Sequence, residues 1–151
     1  MNARTDLPAL AAIRAIEDEM LDTRHQIHAN PELGFEELAT SDLVAERLQR
    51  WGYQVHRGLG KTGVVGIVRN GTSNRAIGLR ADIDALPMTE HNHFAHASTH
   101  PGKMHACGHD GHTAMLLAAA QHFAKHRHFD GTVYLIFQPA EEGGGGAREM
   151  I

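Results

Sequence analysis

The stretch T-A-M-L-L-A-A-A-Q-H-F-A-K-H-R-H-F-D-G-T-V-Y-L-I-F, residues 113–137, decides the fold. Its opening, residues 113–123, is apolar nearly all round, which predicts a buried helix. Its close, residues 132–137, is β-branched and aromatic and predicts a strand ending at Gln138-Pro139. Upstream, R-A-I-G-L-R (75–80) predicts another strand, and residues 90–102 carry no period and read as loop. Strand, long loop, buried helix and strand in that order predict a βαβ unit, hence an α/β fold with a mostly parallel sheet. Such sheets collect their chemistry at the carboxyl ends of the strands. Three segments fall there: Ala81-Asp82-Ile83-Asp84, the run from His105 to His112, and Glu141-Glu142.

Toward the amino end, Leu10, Ile13, Met20, Leu21 and Ile27 recur at helical spacing, so about residues 8–28 read as one amphipathic helix stopped by Asn30-Pro31. A second helix starts near Thr40 or Ser41, with Val44, Leu48 and Trp51 as its apolar stripe and Gly52 as its C-terminal cap. Short strands are expected over 53–55 and 63–68, with a turn beginning at Asn70-Gly71.

Composition narrows the function classes. The 151 residues are 42% hydrophobic and 21% charged, as in globular proteins, and carry a net charge of −4. That balance offers nothing to a nucleic acid. No apolar run approaches the ~20 residues that span a bilayer. Asp6, Glu17, Asp18 and Glu19 interrupt the start where a secretion signal needs an apolar core. A single cysteine cannot form an internal disulfide, and a cytoplasmic location is expected.

That cysteine, Cys107, lies in M-H-A-C-G-H-D-G-H (104–112). A thiolate and the His109 imidazole, with Gly108 between them, can reach one metal from a tight turn. Glu142, from the next strand end, can add a carboxylate. Such a mixed donor set suits zinc, manganese, cobalt or nickel. The competing readings are a small buried thiol and a nucleophilic cysteine paired with histidine; the acidic pair at the same sheet edge favours metal. Adjacent Glu141 and Glu142 suggest a division of labour, one carboxylate binding metal and the other moving a proton. Asp82 and Asp84 are candidates for orienting a ligand histidine or a water, or for simple turn formation before Pro87. His105 and His112 read as supporting or helix-start residues rather than ligands.

Taken together the motifs resemble the M20 metallopeptidase family, in its branch of hippurate hydrolases, N-acyl-amino-acid deacylases and auxin-conjugate hydrolases. The matching segments are H-A-N-P-E-L-G-F-E-E (28–37), T-G-V-V-G (62–66), L-R-A-D-I-D-A-L-P-M (79–88), H-P-G-K-M-H-A-C-G-H-D-G-H (100–112) and G-T-V-Y-L-I-F-Q-P-A-E-E-G (131–143). The resemblance implies an aminopeptidase-like (zinc-peptidase-like) three-layer α/β fold. It implies a site for two divalent metal ions with Cys107, His109 and Glu142 as ligands. Glu141 would be the base that activates metal-bound water, and Asp82 would support it, the histidine of other branches being replaced at Arg80. The implied reaction is amide hydrolysis of an N-acyl amino acid.

Family members are more than twice as long. Residues 1–151 are therefore expected to form the N-terminal portion of the catalytic domain, inactive alone, without the distal ligands or the lid through which the intact enzyme would dimerise. The competing class is a non-catalytic metal- or partner-binding module on the same fold.

Overall fold

A computed structural model describes residues 8–151; Asp6, used above against a secretion signal, lies outside them. The expected first helix is two: α1 (Pro8–Arg14) and α2 (Glu17–Ala29). The break falls at Ala15-Ile16, just before Glu17, Asp18 and Glu19, three acids that favour a fresh helix N-terminus. Helix α3 (Leu38–Arg50) ends as expected at Gly52, whose φ is 83°. The Gly52 and Tyr53 N–H groups donate back to the carbonyls of Gln49 and Leu48, both at 3.0 Å, closing the last turn. It starts earlier than expected: Thr40 and Ser41 lie inside the first turn, and the cap comes from Glu32. That carboxylate accepts the Ala39 and Thr40 N–H groups at 2.9 and 2.8 Å.

Strands β1 (Gln54–Leu59), β2 (Gly63–Asn70), β3 (Ala76–Asp82) and β4 (Gly131–Gln138) form one sheet in the order β1-β2-β4-β3. The α/β class holds, but the expected mostly parallel pairing is corrected. Only β3 and β4 run parallel; β1–β2 and β2–β4 are antiparallel. The cause is local. β1 and β2 are joined by the short turn at Gly60 and Lys61, both at positive φ, which can only reverse the chain. The parallel pair is the βαβ unit anticipated from residues 113–137, crossed over by α4 (His109–Lys125).

Helix α3 lies on β1 and β2, α4 on β3 and β4, and α2 on α4. The core between them is built from Val44, Leu48, Val64, Leu117, Leu135 and Phe137, all fully buried. On β4 the period of two is clean: Val133, Leu135 and Phe137 face the helices, while Tyr134 is exposed on the opposite face. Two of the three expected layers are therefore present among the described residues. No helix among them is long and apolar enough to cross a membrane.

For the site, the decisive feature is the shared end of β3 and β4. Asp82 stands in register with Gln138, so the residues after both strands emerge side by side. Helix α4 begins at the same edge, four residues earlier than the apolar run suggested, and takes His109 and His112 into its first turn.

Candidate metal centre

Gly108 precedes α4 with φ 83°, a left-handed conformation that costs a residue with a side chain about 1–2 kcal/mol. It turns the chain so that Cys107 and His109, on either side, approach the same point. Ligand atoms of Cys107, His109 and Glu142 lie within 4.8 Å of one another. A second group meeting the same limit, Asp82, His109 and His112, shares His109 with the first.

His109 is only 2% exposed, and its orientation is set from behind. Its Nδ1 lies 2.9 Å from the backbone carbonyl oxygen of Asp84 and 3.1 Å from Asp84 Oδ1. Both are acceptors, so Nδ1 carries the proton and donates. Nε2 is thereby the nitrogen left for a ligand. It sits 3.9 Å from Glu141 Oε2, 3.9 Å from Glu142 Oε1 and 3.6 Å from Asp82 Oδ1. Neighbouring residues on a strand point to opposite faces, yet Glu141 and Glu142 both reach one imidazole. The turn after β4 permits this: Pro139 ends the strand and Ala140 adopts φ 48°.

Of the two aspartates, Asp84 grips the histidine, and its other oxygen accepts the Glu142 N–H at 2.9 Å. Asp82 does something different. Its Oδ1 bonds His112 Nδ1 at 2.6 Å and its Oδ2 pairs with Arg80 at 2.9 Å. Arg80 is tied in turn to Gln138 at 2.9 Å. His112 is thus held by Asp82 with its ring stacked on His109, the centroids 5.5 Å apart. His105 is buried behind the site, and neither ring nitrogen has a hydrogen-bond partner. Burial, first of all, pushes it down to about 4, so it is a neutral ring.

The electrostatics of the cluster are those of a site built around a cation. Burial works against the charged form of Asp84, but the His109 bond and the backbone N–H groups of Glu142 and Glu141 hold its carboxyl below the ordinary range. His109, though penalised by burial, is raised by Asp84 and Asp82. The exposed Cys107 thiol is pushed up, first by its hydrogen bond to Glu142 and then by burial and the surrounding carboxylates. Four carboxylates and a thiol around one imidazole are a surplus of negative charge that a divalent ion would neutralise, favouring the thiolate. The donor set of sulfur, nitrogen and oxygen fits a zinc-like or manganese-like ion.

Several residues around this site were not singled out individually from the sequence; His28, Glu37 and Asp110 lie in segments that carry the family resemblance, whereas Arg24 and Glu90 lie outside them. His28 bridges two carboxylates, Asp110 at 2.9 Å and Glu90 at 3.2 Å. Arg24 also reaches Asp110, at 3.1 Å. Glu37 is fully buried and contacts the turn that carries Glu141. Glu37 and Asp110 stand at helix starts, and Arg24 and Glu90 carry no comparable signal in the sequence.

Residues 78–151 match the peptidase family M20/M25/M40. Over 136 residues the chain is 54% identical to a hippurate hydrolase from Campylobacter jejuni, covering 90% of this chain and 35% of that protein. An N-acyl-L-amino acid amidohydrolase from Geobacillus stearothermophilus is 44% identical over 138 residues, covering 90% of this chain and 37% of its own length. Among solved structures, a dinuclear metal binding peptidase of the M20 family from Bacillus subtilis superposes with a TM-score of 0.85. It is 38% identical, and the match covers 90% of this chain and 38% of that one. The chain thus spans little more than a third of the relatives it matches. With residues 78–151 matching that family and most of the chain resembling its members in sequence and in fold, the chain belongs to the M20 metallopeptidase family, a family of hydrolases.

Proposed function

We propose that these residues supply half of the active site of a metal-dependent amidohydrolase that cleaves N-acyl amino acids of the hippurate type. The observation that carries the reading is the meeting of Cys107, His109 and Glu142 within 4.8 Å, with Glu141 aimed at the same imidazole nitrogen. Cys107, His109 and Glu142 hold a divalent ion, one of a pair drawn from manganese, zinc, cobalt or nickel. When bound, the pair polarises the scissile carbonyl and makes water acidic enough to lose a proton near neutral pH. Glu141, 41% exposed and therefore open to the cleft, accepts that proton as the water oxygen bonds to the acyl carbon. It then passes the proton to the amine nitrogen as the C–N bond breaks. Asp84 holds His109 in its ligating tautomer, and Asp82 supports the site by fixing His112 beside it.

On this reading the distal ligands, and a lid that also forms a homodimer contact, belong to the part of the protein corresponding to the rest of its relatives. The 151 residues alone do not turn over substrate. A lone cysteine suits a reducing compartment, and on that ground we place the enzyme in the cytoplasm.

The test is Glu141→Gln in the whole protein. Metal content should stay at the wild-type level while hippurate hydrolysis falls ~10²–10⁴-fold, the usual worth of a positioned base. Full activity in that variant sinks the assignment. A wild-type protein that binds metal but never hydrolyses an N-acyl amino acid would favour the binding module instead.

A further inference from the structure

We infer that Glu37, far from the metal in sequence, is a positioning residue for Glu141; the inference rests on the reading of Glu141 as the base. Glu37 is a carboxylate with 0% exposure at the start of α3. Burying a polar group is costly unless it is hydrogen-bonded. Its Oε2 accepts the Thr62 hydroxyl at 2.5 Å, and its Oε1 accepts the Ala140 N–H at 2.9 Å. On the far side of Glu141, Asp84 Oδ2 accepts the Glu142 N–H at 2.9 Å. Two buried carboxylates from separate parts of the chain thus clamp the residues immediately before and after Glu141.

The clamp has something to resist. Ala140 holds φ 48°, a conformation an alanine rarely adopts without being forced. Its carbonyl is pinned as well, accepting the Gly146 N–H at 3.1 Å. Neighbouring glycines let the chain wrap this tightly: a Cβ at Gly34 would sit 3.0 Å from the Ala140 Cβ, and one at Gly146 would lie 1.8 Å from the Pro139 carbonyl oxygen. Glu141 therefore projects from a turn whose backbone is bonded on both sides, while its own side chain stays open to the cleft. With one oxygen on the Ala140 N–H and the other on Thr62, Glu37 is suited to hold the strained residue in place, and a displacement of about 1 Å at a catalytic group can cost ~10²-fold.

The first measurement needs no variant. Hydrogen exchange on the wild-type protein should show the Ala140 amide protected on the order of a hundredfold more than Gly144, although both lie outside helix and strand. Equal rates overturn the clamp, whatever the catalytic role of Glu141. The second compares Glu37→Leu, which removes the acceptor, with Glu37→Gln, which keeps one oxygen for Ala140 and can donate its amide to Thr62. In the whole enzyme, Glu37→Leu should lower kcat for hippurate at least tenfold, with KM within twofold and metal stoichiometry unchanged. Glu37→Gln should restore most of kcat. Unchanged kcat in Glu37→Leu, or a loss traced wholly to metal content, overturns the inference. If instead Glu141→Gln is fully active, the base assignment fails while Ala140 protection still reports on the clamp.

Discussion

Asp84 and His109 are joined twice, through the Asp84 carbonyl at 2.9 Å and its Oδ1 at 3.1 Å, and both partners are almost completely buried. One aspartate thereby selects the protonated nitrogen of the imidazole and, through its other oxygen, steadies the backbone of Glu142. Asp84→Asn should weaken metal binding by about 10–100-fold, the usual effect of removing such a partner. Competition against a chromophoric chelator measures it. An unchanged affinity would mean that the backbone carbonyl of residue 84 suffices.

Cys107 and Glu142 should behave differently from Glu141. Cys107→Ser and Glu142→Ala each remove a donor from the triad within 4.8 Å, so metal content by mass spectrometry should fall in both. In Glu141→Gln it should not. Retention of full metal by Cys107→Ser would move the sulfur out of the site.

Glu90, which bonds His28 and none of Cys107, His109 and Glu142, gives a stability prediction. Burial opposes its charge, yet the Ser98 N–H, the Asn92 amide and His28 hold its carboxyl down at about 2, below its ordinary 4.5. A carboxyl with a depressed folded-state pKa adds stability that is fully present above its unfolded value. That contribution is lost as pH falls from about 4.5 toward about 2. The urea midpoint of the wild type should drop over this window. Glu90→Gln should start lower at neutral pH and drop less, and parallel declines would exclude a contribution from Glu90.

Glu32 offers a control. It caps α3 from outside the helix through the Ala39 and Thr40 N–H groups. Glu32→Ala should cost about 1 kcal/mol, within the range seen for lost caps. Metal affinity should stay unchanged, because Glu32 touches none of the ligands. Denaturant melts together with the chelator assay separate the two effects.

The legible and illegible parts of this molecule divide by range. The βαβ unit, the glycine cap at Gly52 and the strand ends carrying Asp82 and Glu141 follow from periods and turn residues a few positions apart. Pairing direction at β2–β4 does not, because nothing in either strand says which neighbour it will take. The double grip of Asp84 was open for a similar reason: Asp82 and Asp84 are equally acidic in sequence, and only the packing of α4 against the end of β3 separates their partners.

The sequence by itself determined the elements and the chemical types present: a thiol, an imidazole and two carboxylates placed after strands and before a buried helix. Tertiary structure alone decided which atoms meet. His28 finds Asp110, Glu32 finds the start of α3, and Glu37 finds Ala140 across 103 positions of chain. Local propensity acts over one or two turns of backbone. A buried carboxylate is satisfied by whichever donor the folded core brings within about 3 Å, and that donor is chosen by how sheet and helices pack.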